Sequence, residues 1–326
     1  MIAPDFWKSG RGGVRSTLLT PVGVIVSLVT YIRQSIVTPW KAQVPVLCIG
    51  NVVVGGAGKT PVAISIGKAF KKNNVNINYL SRGYGGYDSG PHLVNLKKDT
   101  SHRVGDEPLL LSKVAPTWVS RNRVQGAKTA IANNAKLILM DDGLQHHRIH
   151  KVFSILVVDV KYGFGNGKIM PAGPLREPLS RALKRVNLVV LIGENSLKVR
   201  LQLLSLDPKL IILNAKLIPG PEIKDLENIQ IVAFSGIGQP EKFFTTLEEN
   251  GCKVIYKGKY PDHHQYSSSE ICALKARAKK NKGILVTTEK DWVRLSKDQR
   301  LNIKFLTVNL EWEDENALNL ALSRFY

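Results

Sequence analysis

Short runs of apolar residues alternate with longer stretches of mixed polarity along the first two thirds of the chain. The runs are rich in Val, Ile and Leu and are bounded by turn-forming or charged residues, which predicts buried β-strands. The predicted strands cover residues 46–49, 75–80, 117–120, 137–140, 153–160, 188–192 and 210–213, and predicted helices cover residues 60–71, 107–114 and 123–132. This alternation predicts an α/β fold whose mostly parallel sheet is covered on both faces.

A second block of the same kind begins after residue 217. Pro and Gly in residues 218–222 predict a linker. Beyond it, predicted strands cover residues 229–234, 254–260, 284–287 and 303–308, and predicted helices cover residues 240–249 and 269–280. The expected parts are therefore an N-terminal helix in residues 1–35, a larger core in residues 36–217 and a smaller C-terminal α/β domain in residues 218–326. The last helix of that domain could pack back on the core.

An uncharged apolar stretch covers residues 16–32 near the N-terminus, with Arg11 and Arg15 before it and Arg33 after it. It is shorter than the roughly 20 apolar residues of a typical membrane span. A cleaved signal peptide is disfavoured, because no small-residue cleavage site follows and Pro21 lies inside the stretch. The favoured interpretation is a helix in the membrane interface, with basic flanks near anionic lipid. A buried core helix and a true span are the alternatives.

The net charge of +20 bears on partners rather than on fold. Phosphates, nucleic acid and an anionic membrane surface are all compatible with it. The three cysteines, Cys48, Cys252 and Cys272, lack the spacing of a metal site. They are typical of buried, reduced thiols in a cytoplasmic protein.

A glycine-rich segment, GNVVVGGAGKTP, occupies residues 50–61 between a predicted strand and a predicted helix. Such a loop lets the backbone approach phosphate groups, which the amides at the helix start then bind. The Lys59 ammonium would neutralise the terminal phosphates of a nucleotide, and the Thr60 hydroxyl would coordinate Mg²⁺. Position 53 is Val where the general motif has Gly. The expected nucleotide-binding residues are Gly55, Gly56, Ala57, Gly58, Lys59, Thr60 and Pro61.

Two acids, Asp141 and Asp142, directly follow the predicted strand that ends at residue 140. Carboxylates at a strand end beside a phosphate-binding loop are suited to the Mg²⁺ shell of a phosphotransferase. Gln145 follows in the same loop and is a candidate ligand-positioning residue, because ligands bind outside the carboxyl ends of parallel strands. His146 and His147 are more typical of loop histidines than of ligands.

Further strand-end loops carry polar side chains. Arg82 and Tyr84 in SRGYGG could hold a phosphate or a base, although a plain glycine turn is the alternative. Asp106 in GDEP is either a helix-capping carboxylate or a catalytic one. Arg121 and Arg123 follow another predicted strand.

Three later segments add candidates. Arg176 and Glu177 lie in the stiff segment PAGPLREP, which suits a phosphate clamp and a metal ligand. His263 and His264 lie beside an acid in PDHHQY, where an imidazole could carry a proton, or the segment could be a surface loop. The segment TEKD at residues 288–291 could contact nucleotide or cap the next helix.

Taken in chain order, the segments GNVVVGGAGKTP, SRGYGG, GDEP, LMDDGLQHH, AGPLREP, PDHHQY and TEKD resemble those of the tetraacyldisaccharide 4′-kinases, the lipid A 4′-kinases of Gram-negative bacteria. The resemblance runs from about residue 7 to residue 291, and Val53 is similar to the family's own pattern. It implies a P-loop core beside a smaller C-terminal domain, with an N-terminal helix at the inner membrane. The implied reaction is ATP- and Mg²⁺-dependent phosphorylation of the 4′-hydroxyl of a tetraacylated glucosamine disaccharide 1-phosphate, which gives lipid IVA.

The same resemblance implies roles for individual residues. Asp106 is the implied catalytic carboxylate and His263 its imidazole partner, with His264 as the alternative. Which of Asp106 and His263 takes the proton stays open. The implied phosphate-neutralising cation is Lys59; the implied metal ligands are Thr60, Asp141, Asp142 and Glu177. The implied contacts to substrate or transition state are Tyr84, Arg123, Gln145 and Arg176.

Two other functions compete with this one. A GTPase or a small-molecule kinase would share the glycine-rich loop, but the nearest approach to a guanine-reading Asn-Lys-x-Asp segment is TEKD, which lacks the Asn. A nucleic-acid-binding ATPase would suit the charge, but the basic residues are scattered and are not interleaved with aromatic residues. We therefore expect a monomeric lipid kinase, without a nucleic-acid partner, at the cytoplasmic face of the inner membrane, bound peripherally or monotopically.

Overall fold

Two sheets with helices on both faces make up the molecule. A computed structural model describes residues 4–8, 10 and 12–326; Arg11, an expected basic flank of the N-terminal stretch, lies outside them. The strands are β1 (Val46–Gly50), β2 (Ile77–Ser81), β3 (His92–Leu93), β4 (Thr117–Val119), β5 (Leu137–Asp141), β6 (Phe153–Asp159), β7 (Leu188–Ile192), β8 (Ile211–Pro219), β9 (Gln230–Ser235), β10 (Lys253–Lys259), β11 (Ile284–Thr288), β12 (Ile303–Leu306) and β13 (Val308–Trp312). The α-helices are α1 (Gly13–Ser35), α2 (Lys59–Lys72), α3 (Ser101–Val104), α4 (Asp106–Leu111), α5 (Arg123–Ala132), α6 (Leu179–Leu183), α7 (Leu197–Leu206), α8 (Pro240–Glu249), α9 (Ser268–Lys280), α10 (Glu289–Trp292), α11 (Lys297–Arg300) and α12 (Glu315–Leu322).

The main sheet has the strand order β13-β8-β7-β6-β1-β5-β2-β4-β3. The pairs between β8 and β4 in this order are parallel, and the edge strands β13 and β3 are antiparallel to their neighbours. Leu47 and Ile49 of β1 pack against α2 and α12, whereas Val46 and Cys48 pack towards α5, α6 and α7. Burial of both faces explains why the strands read as uninterrupted apolar runs, and the predicted α/β fold is confirmed. The prediction of three buried cysteines is wrong for Cys272, which lies on the exposed side of α9.

A second, four-stranded sheet has the order β10-β9-β11-β12, and all its pairs are parallel. Helix α8 covers one face through Phe243 and Phe244, and α9 covers the other through Ile271 and Leu274. We call residues 221–306, which contain this sheet, the small lobe, and the rest of the described chain from residue 36 onward the main lobe.

The C-terminal segment returns to the main sheet after β12. The predicted strand at residues 303–308 is wrong at its end, because the chain leaves β12 at Leu306 and begins β13 at Val308. β13 pairs with β8, and α12 packs through Leu318 and Leu322 on the side of the sheet that also holds Phe70. The three-part division expected from the sequence stays a proposal, but residues 308–326 lie on the main sheet.

Helix α1 presents its large apolar side chains outwards. Among the described residues it is long and apolar enough to cross a membrane. Leu18 is 72% exposed and Ile25 is 61% exposed, whereas the small residues Ser16, Gly23 and Ser27 are buried against the protein. A buried core helix would show the opposite pattern, so that alternative is wrong.

The small-residue face of α1 is joined to residues 168–172, which lead into and begin the AGPLREP segment. Ser16 Oγ donates to the carbonyl oxygen of Ala172 at 2.8 Å, and Lys168 Nζ donates to Thr20 Oγ1 at 3.1 Å. A Cβ atom at Gly23 would lie 2.8 Å from the carbonyl oxygen of Ile169, so the close approach requires glycine there. The helix is therefore anchored by polar contacts and not by its apolar surface.

Gly67 in α2 provides a test of packing in the main lobe. A methyl group at Gly67 would overlap the Tyr79 hydroxyl, which donates to the carbonyl oxygen of Ala63. In an exposed helix, Gly→Ala stabilises by up to about 1 kcal/mol. We expect Gly67→Ala instead to lower the free energy of unfolding by about 1–3 kcal/mol, because the core is overpacked. Chemical denaturation measures the change, with the exposed Lys68→Ala as control; a stabilised Gly67→Ala variant would contradict this packing.

Candidate active site

The candidate site lies at the carboxyl edge of the main sheet. The loops after β1, β2, β4 and β5 all open there, because these strands are parallel neighbours. In open α/β sheets this edge is where ligands bind. β1 lies between β5 and β6, so the chain passes to the opposite side of β1 after β5.

The glycine-rich loop ends at Gly58, directly before α2 begins at Lys59. Gly58 has a φ of +82°, and a Cβ atom on it would lie 2.6 Å from Ile192 Cδ1, so only glycine suits this turn. The loop is also held from the side. The amide of Val54 donates to the carbonyl oxygen of Pro174 at 2.9 Å, and the amide of Arg176 donates to the carbonyl oxygen of Val52 at 2.8 Å. The predicted phosphate loop and the LREP segment therefore lie side by side.

Asp142 lies at the centre of the charged side chains beside this loop. Its carboxylate is 3.8 Å from Lys59 Nζ and 3.2 Å from Arg176 NH1. Arg176 NH1 also donates to Gln145 Oε1 at 3.3 Å. Burial alone would raise the pKa of Asp142, but Lys59 and Arg176 hold its pKa below the usual value. The structure thus brings together four of the residues predicted for phosphate and metal binding.

Asp141 is 2% exposed, and its Oδ1 atom is buried without a hydrogen-bond partner. Burial, with the nearby carboxylates of Glu107 and Asp142, raises the pKa of Asp141 to about 7. The buried Arg123 lies beside it and donates to its carbonyl oxygen at 3.4 Å. Arg121 points elsewhere, to the carbonyl oxygens of the SRGYGG loop and its neighbour.

Glu177 is buried and already paired. Its two carboxylate oxygens accept from Arg185 NH2 at 2.9 and 2.7 Å, and Gln145 Nε2 donates to Oε1 at 3.1 Å. Among the described residues, no group of three or more His, Cys, Asp or Glu side chains is placed to hold a metal ion. A metal ion here would therefore depend on oxygens from a bound nucleotide as well as on the protein.

Asp106 and His263 come from different lobes and meet at the junction. His263 Nδ1 lies 3.2 Å from Asp106 Oδ2. His264, the alternative imidazole, lies with Nε2 3.0 Å from Glu270 and stacks on Tyr260 with ring centroids 4.8 Å apart. The geometry therefore favours His263 over His264 as the partner of Asp106.

The Asp106 carboxylate is 3% exposed and surrounded by cations. Arg294 donates to its Oδ2 atom through Nε at 3.0 Å and also through NH2, and Lys290 Nζ lies 3.9 Å away. Burial alone would raise the pKa of Asp106, but Lys290, His263 and Arg294 together hold it far below the usual range. This carboxylate therefore stays ionised at any physiological pH.

An exposed tyrosine lies next to this pair. Tyr84 is 65% exposed, and its ring meets the His263 ring edge-on with centroids 5.1 Å apart. A pocket of about 150 Å³ opens between Tyr84, Asp106, His263 and Arg294. It has room for part of an acceptor molecule beside the pair.

Three basic residues of the site were not predicted from the sequence: Lys290, Arg294 and Arg185. Thr288 caps α10 by accepting from the amide of Asp291 at 3.1 Å, so TEKD has the capping role in this structure. Asp291 and Arg294 are three residues apart and form an ion pair at 2.8 Å. That spacing after a buried strand was the available signal for Arg294. Arg185 had no comparable signal.

His146 and His147 are loop residues with buried Nε2 atoms that lack hydrogen-bond partners. Lys151 Nζ fixes the same loop by donating to the carbonyl oxygens of Gly143, Leu144 and His146. Burial, followed by nearby cations, lowers the pKa of each histidine to about 4. Both imidazoles are therefore neutral in the folded protein at neutral pH.

These two histidines predict an acid-sensitive loop. The unfolded chain protonates its histidines near pH 6.5, whereas the folded chain does so only near pH 4. The unfolded state thus binds more protons in that window, and the free energy of unfolding falls as the pH drops from 6.5 to 4. We expect a loss of about 1–3 kcal/mol per histidine. Denaturation curves of a His146→Gln, His147→Gln double variant should show a smaller fall in the free energy of unfolding between pH 6.5 and 4. The exposed His150→Gln variant, as control, should show the same fall as the wild type. A double variant with the wild-type pH dependence would contradict the view that these two histidines cause it.

Comparison with known proteins agrees with this geometry. Residues 15–326 match the family model described as LpxK, tetraacyldisaccharide-1-P 4′-kinase. A tetraacyldisaccharide 4′-kinase of Paramagnetospirillum magneticum is 44% identical over 324 residues, which cover 99% of this chain and 98% of the relative. One from Rhodospirillum centenum is 42% identical over 327 residues, which cover 99% of this chain and 96% of the relative.

The fold also matches a solved structure. The crystal structure of the "apo" form of LpxK from Aquifex aeolicus in complex with ATP is 25% identical, with a TM-score of 0.76. The match covers 95% of this chain and 99% of the Aquifex aeolicus chain. Because the family model spans nearly the whole chain and full-length relatives exceed 40% identity, this chain belongs to the tetraacyldisaccharide 4′-kinase family.

Proposed function

We propose that this chain transfers the γ-phosphoryl group of ATP to the 4′-hydroxyl of tetraacyldisaccharide 1-phosphate, giving lipid IVA, at the carboxyl edge of the main sheet. Family membership supports the reaction. The observation that carries the mechanism is the contact between the Asp106 carboxylate and the His263 imidazole, which lie 3.2 Å apart. Together they provide a proton acceptor at the sheet edge that also holds the phosphate loop.

The nucleotide phosphates would bind the amides from Gly55 to Thr60, and Lys59 would neutralise their charge. A relative, the Aquifex aeolicus LpxK, was crystallised in complex with ATP. A cleft of about 570 Å³ opens beyond the end of β7, lined in part by residues 193–196 and by residues 214–216 in the middle of β8. We place the nucleoside there, because β7 and β8 lie on one side of β1, whereas β5, β2 and β4, whose ends carry the acids and bases of the site, lie on the other.

Mg²⁺ is the proposed metal. The buried, unpartnered Oδ1 atom of Asp141 suits a cation, and carboxylate and hydroxyl oxygens are the ligands that Mg²⁺ prefers. Thr60, Asp141 and Asp142 would hold the ion together with phosphate oxygens, and the ion would neutralise developing charge on the phosphates. Glu177 is occupied by Arg185 and Gln145, so we assign it to orienting Gln145 rather than to the ion.

His263 is the proposed proton acceptor. Asp106 is held ionised by Arg294 and Lys290, so it accepts a hydrogen bond from His263 Nδ1. His263 Nε2, which lies 3.8 Å from Asp262 Oδ1, is then the ring nitrogen that takes the proton. The 4′-oxygen bonds to the γ-phosphorus while its proton passes to Nε2. The bond from the γ-phosphorus to the bridging oxygen breaks, and ADP leaves. We assign to Arg123 and Arg176 the role of offsetting the charge that develops on the phosphoryl oxygens.

The acceptor is a lipid, and α1 offers a surface for it. The outward apolar face of α1 and the net charge of +20 suit an anionic bilayer surface. Arg181 lies over the Tyr31 ring of this helix at 4.4 Å, which places a cation at the same surface. We propose that the protein works at the cytoplasmic face of the inner membrane, where ATP is available.

Removal of the imidazole tests the mechanism. We expect His263→Ala to lower kcat by about 100-fold to 10,000-fold, the usual contribution of a general base. Asp106→Asn should lower kcat comparably, because it removes the charge that orients the imidazole. The assay follows conversion of the disaccharide 1-phosphate lipid to a bis-phosphorylated product in detergent with saturating ATP and Mg²⁺.

His264→Ala is the matched control for these variants, because His264 contacts Glu270 and Tyr260 instead of Asp106. It should keep close to wild-type turnover. Near-normal rates for both His263→Ala and Asp106→Asn would refute the pair. A wild-type protein that leaves the lipid unmodified and phosphorylates a soluble acceptor would refute the proposed substrate.

The exposed face of α1 predicts membrane binding. Replacing Leu18, Ile25 and Val29 by Ser should weaken binding to anionic vesicles roughly 100-fold, since each apolar side chain removed from water contributes about 1–3 kcal/mol and these are only partly inserted. Vesicle sedimentation measures the effect. The matched control replaces the exposed residues Leu201, Leu301 and Leu320 by Ser. Equal binding by both triple variants would show that α1 is not the membrane surface.

A further inference from the structure

The guanidinium of Arg294 lies buried in the junction between the two lobes. Its side chain is 1% exposed. Nε donates to Asp106 Oδ2 at 3.0 Å, and NH2 donates to the same oxygen. NH1 donates to Asp291 Oδ1 at 2.8 Å and to the carbonyl oxygen of Gly236 at 2.6 Å. One planar group therefore connects α4 of the main lobe to two elements of the small lobe.

Gly236 connects this guanidinium to the imidazole. The carbonyl oxygen that Arg294 contacts also accepts from the amide of His263 at 3.0 Å. His263 has a φ of +59°, a left-handed conformation that surrounding contacts must hold. Arg294 thus holds the Asp106 carboxylate directly, and it holds the His263 backbone through one intervening carbonyl group.

Arg294 is itself fixed by Asp291, which is fully buried. The carboxylate of Asp291 accepts from Ser235 Oγ at 2.9 Å, from Tyr266 Oη at 2.8 Å and from Thr288 Oγ1 at 2.6 Å. A buried polar network with its partners satisfied is rigid. The guanidinium is therefore held in one orientation.

We propose that Arg294 is a positioning residue for phosphoryl transfer, which sets the Asp106 carboxylate and the His263 imidazole at hydrogen-bond distance across the lobe junction. The inference rests on the proposed function, in which this pair takes the proton of the acceptor hydroxyl. Lys290 adds positive charge near Asp106, but its ammonium lies 3.9 Å away and bonds Glu107 instead. The geometry of the pair therefore depends on the forked guanidinium, which a lysine at position 294 would not reproduce.

The first test is Arg294→Lys in the full-length enzyme, because it keeps the charge and removes the fork. We expect kcat to fall about 10-fold to 100-fold, since a displacement of about 1 Å in a catalytic group costs that much. The KM values for ATP and for the lipid should stay close to those of the wild type. The matched control is Arg300→Lys, whose guanidinium stacks on the Trp292 ring at 4.1 Å in the same lobe without contacting Asp106. It should leave kcat unchanged.

A double-mutant cycle separates positioning from mere stabilisation of the lobe junction. If Arg294 acts through the pair, Arg294→Lys should slow the His263→Ala enzyme by no more than about twofold, because the effects of coupled residues do not add. If Arg294 only stabilises the lobe junction, the kcat losses of Arg294→Lys and His263→Ala should multiply in the double variant. Should Arg294→Lys fail to fold, Tyr266→Phe takes its place with Tyr260→Phe as control. Tyr266→Phe removes one hydrogen bond to Asp291 and should lower kcat less than Arg294→Lys does. Combined with His263→Ala, it too should cause little further loss of kcat.

Two results would overturn the inference: losses that multiply in the cycle, or a wild-type kcat for folded Arg294→Lys. The cycle also distinguishes this failure from that of the proposed function. A slow His263→Ala enzyme beside a normal Arg294→Lys enzyme refutes the positioning role alone. A near-normal His263→Ala enzyme refutes the catalytic pair and the positioning role with it.

Discussion

Buried negative charge at the carboxyl edge of the main sheet is the constraint on which the rest of the site depends. A carboxylate taken out of water must be paired or hydrogen-bonded, or it becomes neutral. Asp106 and Asp291 share Arg294, and Glu177 is paired with Arg185. Arg294 lies 188 residues from Asp106 in sequence, so their pairing draws the small lobe onto this edge. Arg185 lies only eight residues from Glu177 and fixes that carboxylate within its own segment. Asp141 is the exception, because its Oδ1 atom is buried without a hydrogen-bond partner, and it is there that the proposed Mg²⁺ would bind.

The same edge is linked to the proposed membrane surface. The small-residue face of α1 binds the chain between residues 168 and 172, and the segment that follows lies against the phosphate loop through Val54 and Pro174. Apolar side chains of α1 face outwards, where lipid would cover them. A short path of packed backbone therefore connects the surface that would meet the lipid to the loop that would hold the nucleotide.

Much of this arrangement could be predicted from sequence, because it depends on local patterns. The parallel strands of the main sheet and helix α5 follow from apolar runs and turn residues, and the loop before Lys59 follows from its glycines. The edge strand β3 was not predicted, because two residues are too short to show a pattern. β13 was missed, since an edge strand with one exposed face has a weak apolar pattern and Thr307 alone separates it from β12. The pairing of Arg294 with Asp106 was missed because the two residues are 188 positions apart in sequence. Arg185 was missed because no pattern around Glu177 marks it as the partner of that acid.

The sequence by itself determined the class of chemistry. A glycine-rich loop, strand-end acids and the ordered motifs are local features, and they are sufficient to identify a lipid kinase family. Only the tertiary structure decided which imidazole meets Asp106, which arginine fixes that carboxylate and which face of α1 is exposed. Those outcomes depend on contacts between residues far apart in the chain, such as His263 with Asp106. His263 and His264 are adjacent in sequence and chemically identical, and only the folded structure directs one to Asp106 and the other to Glu270.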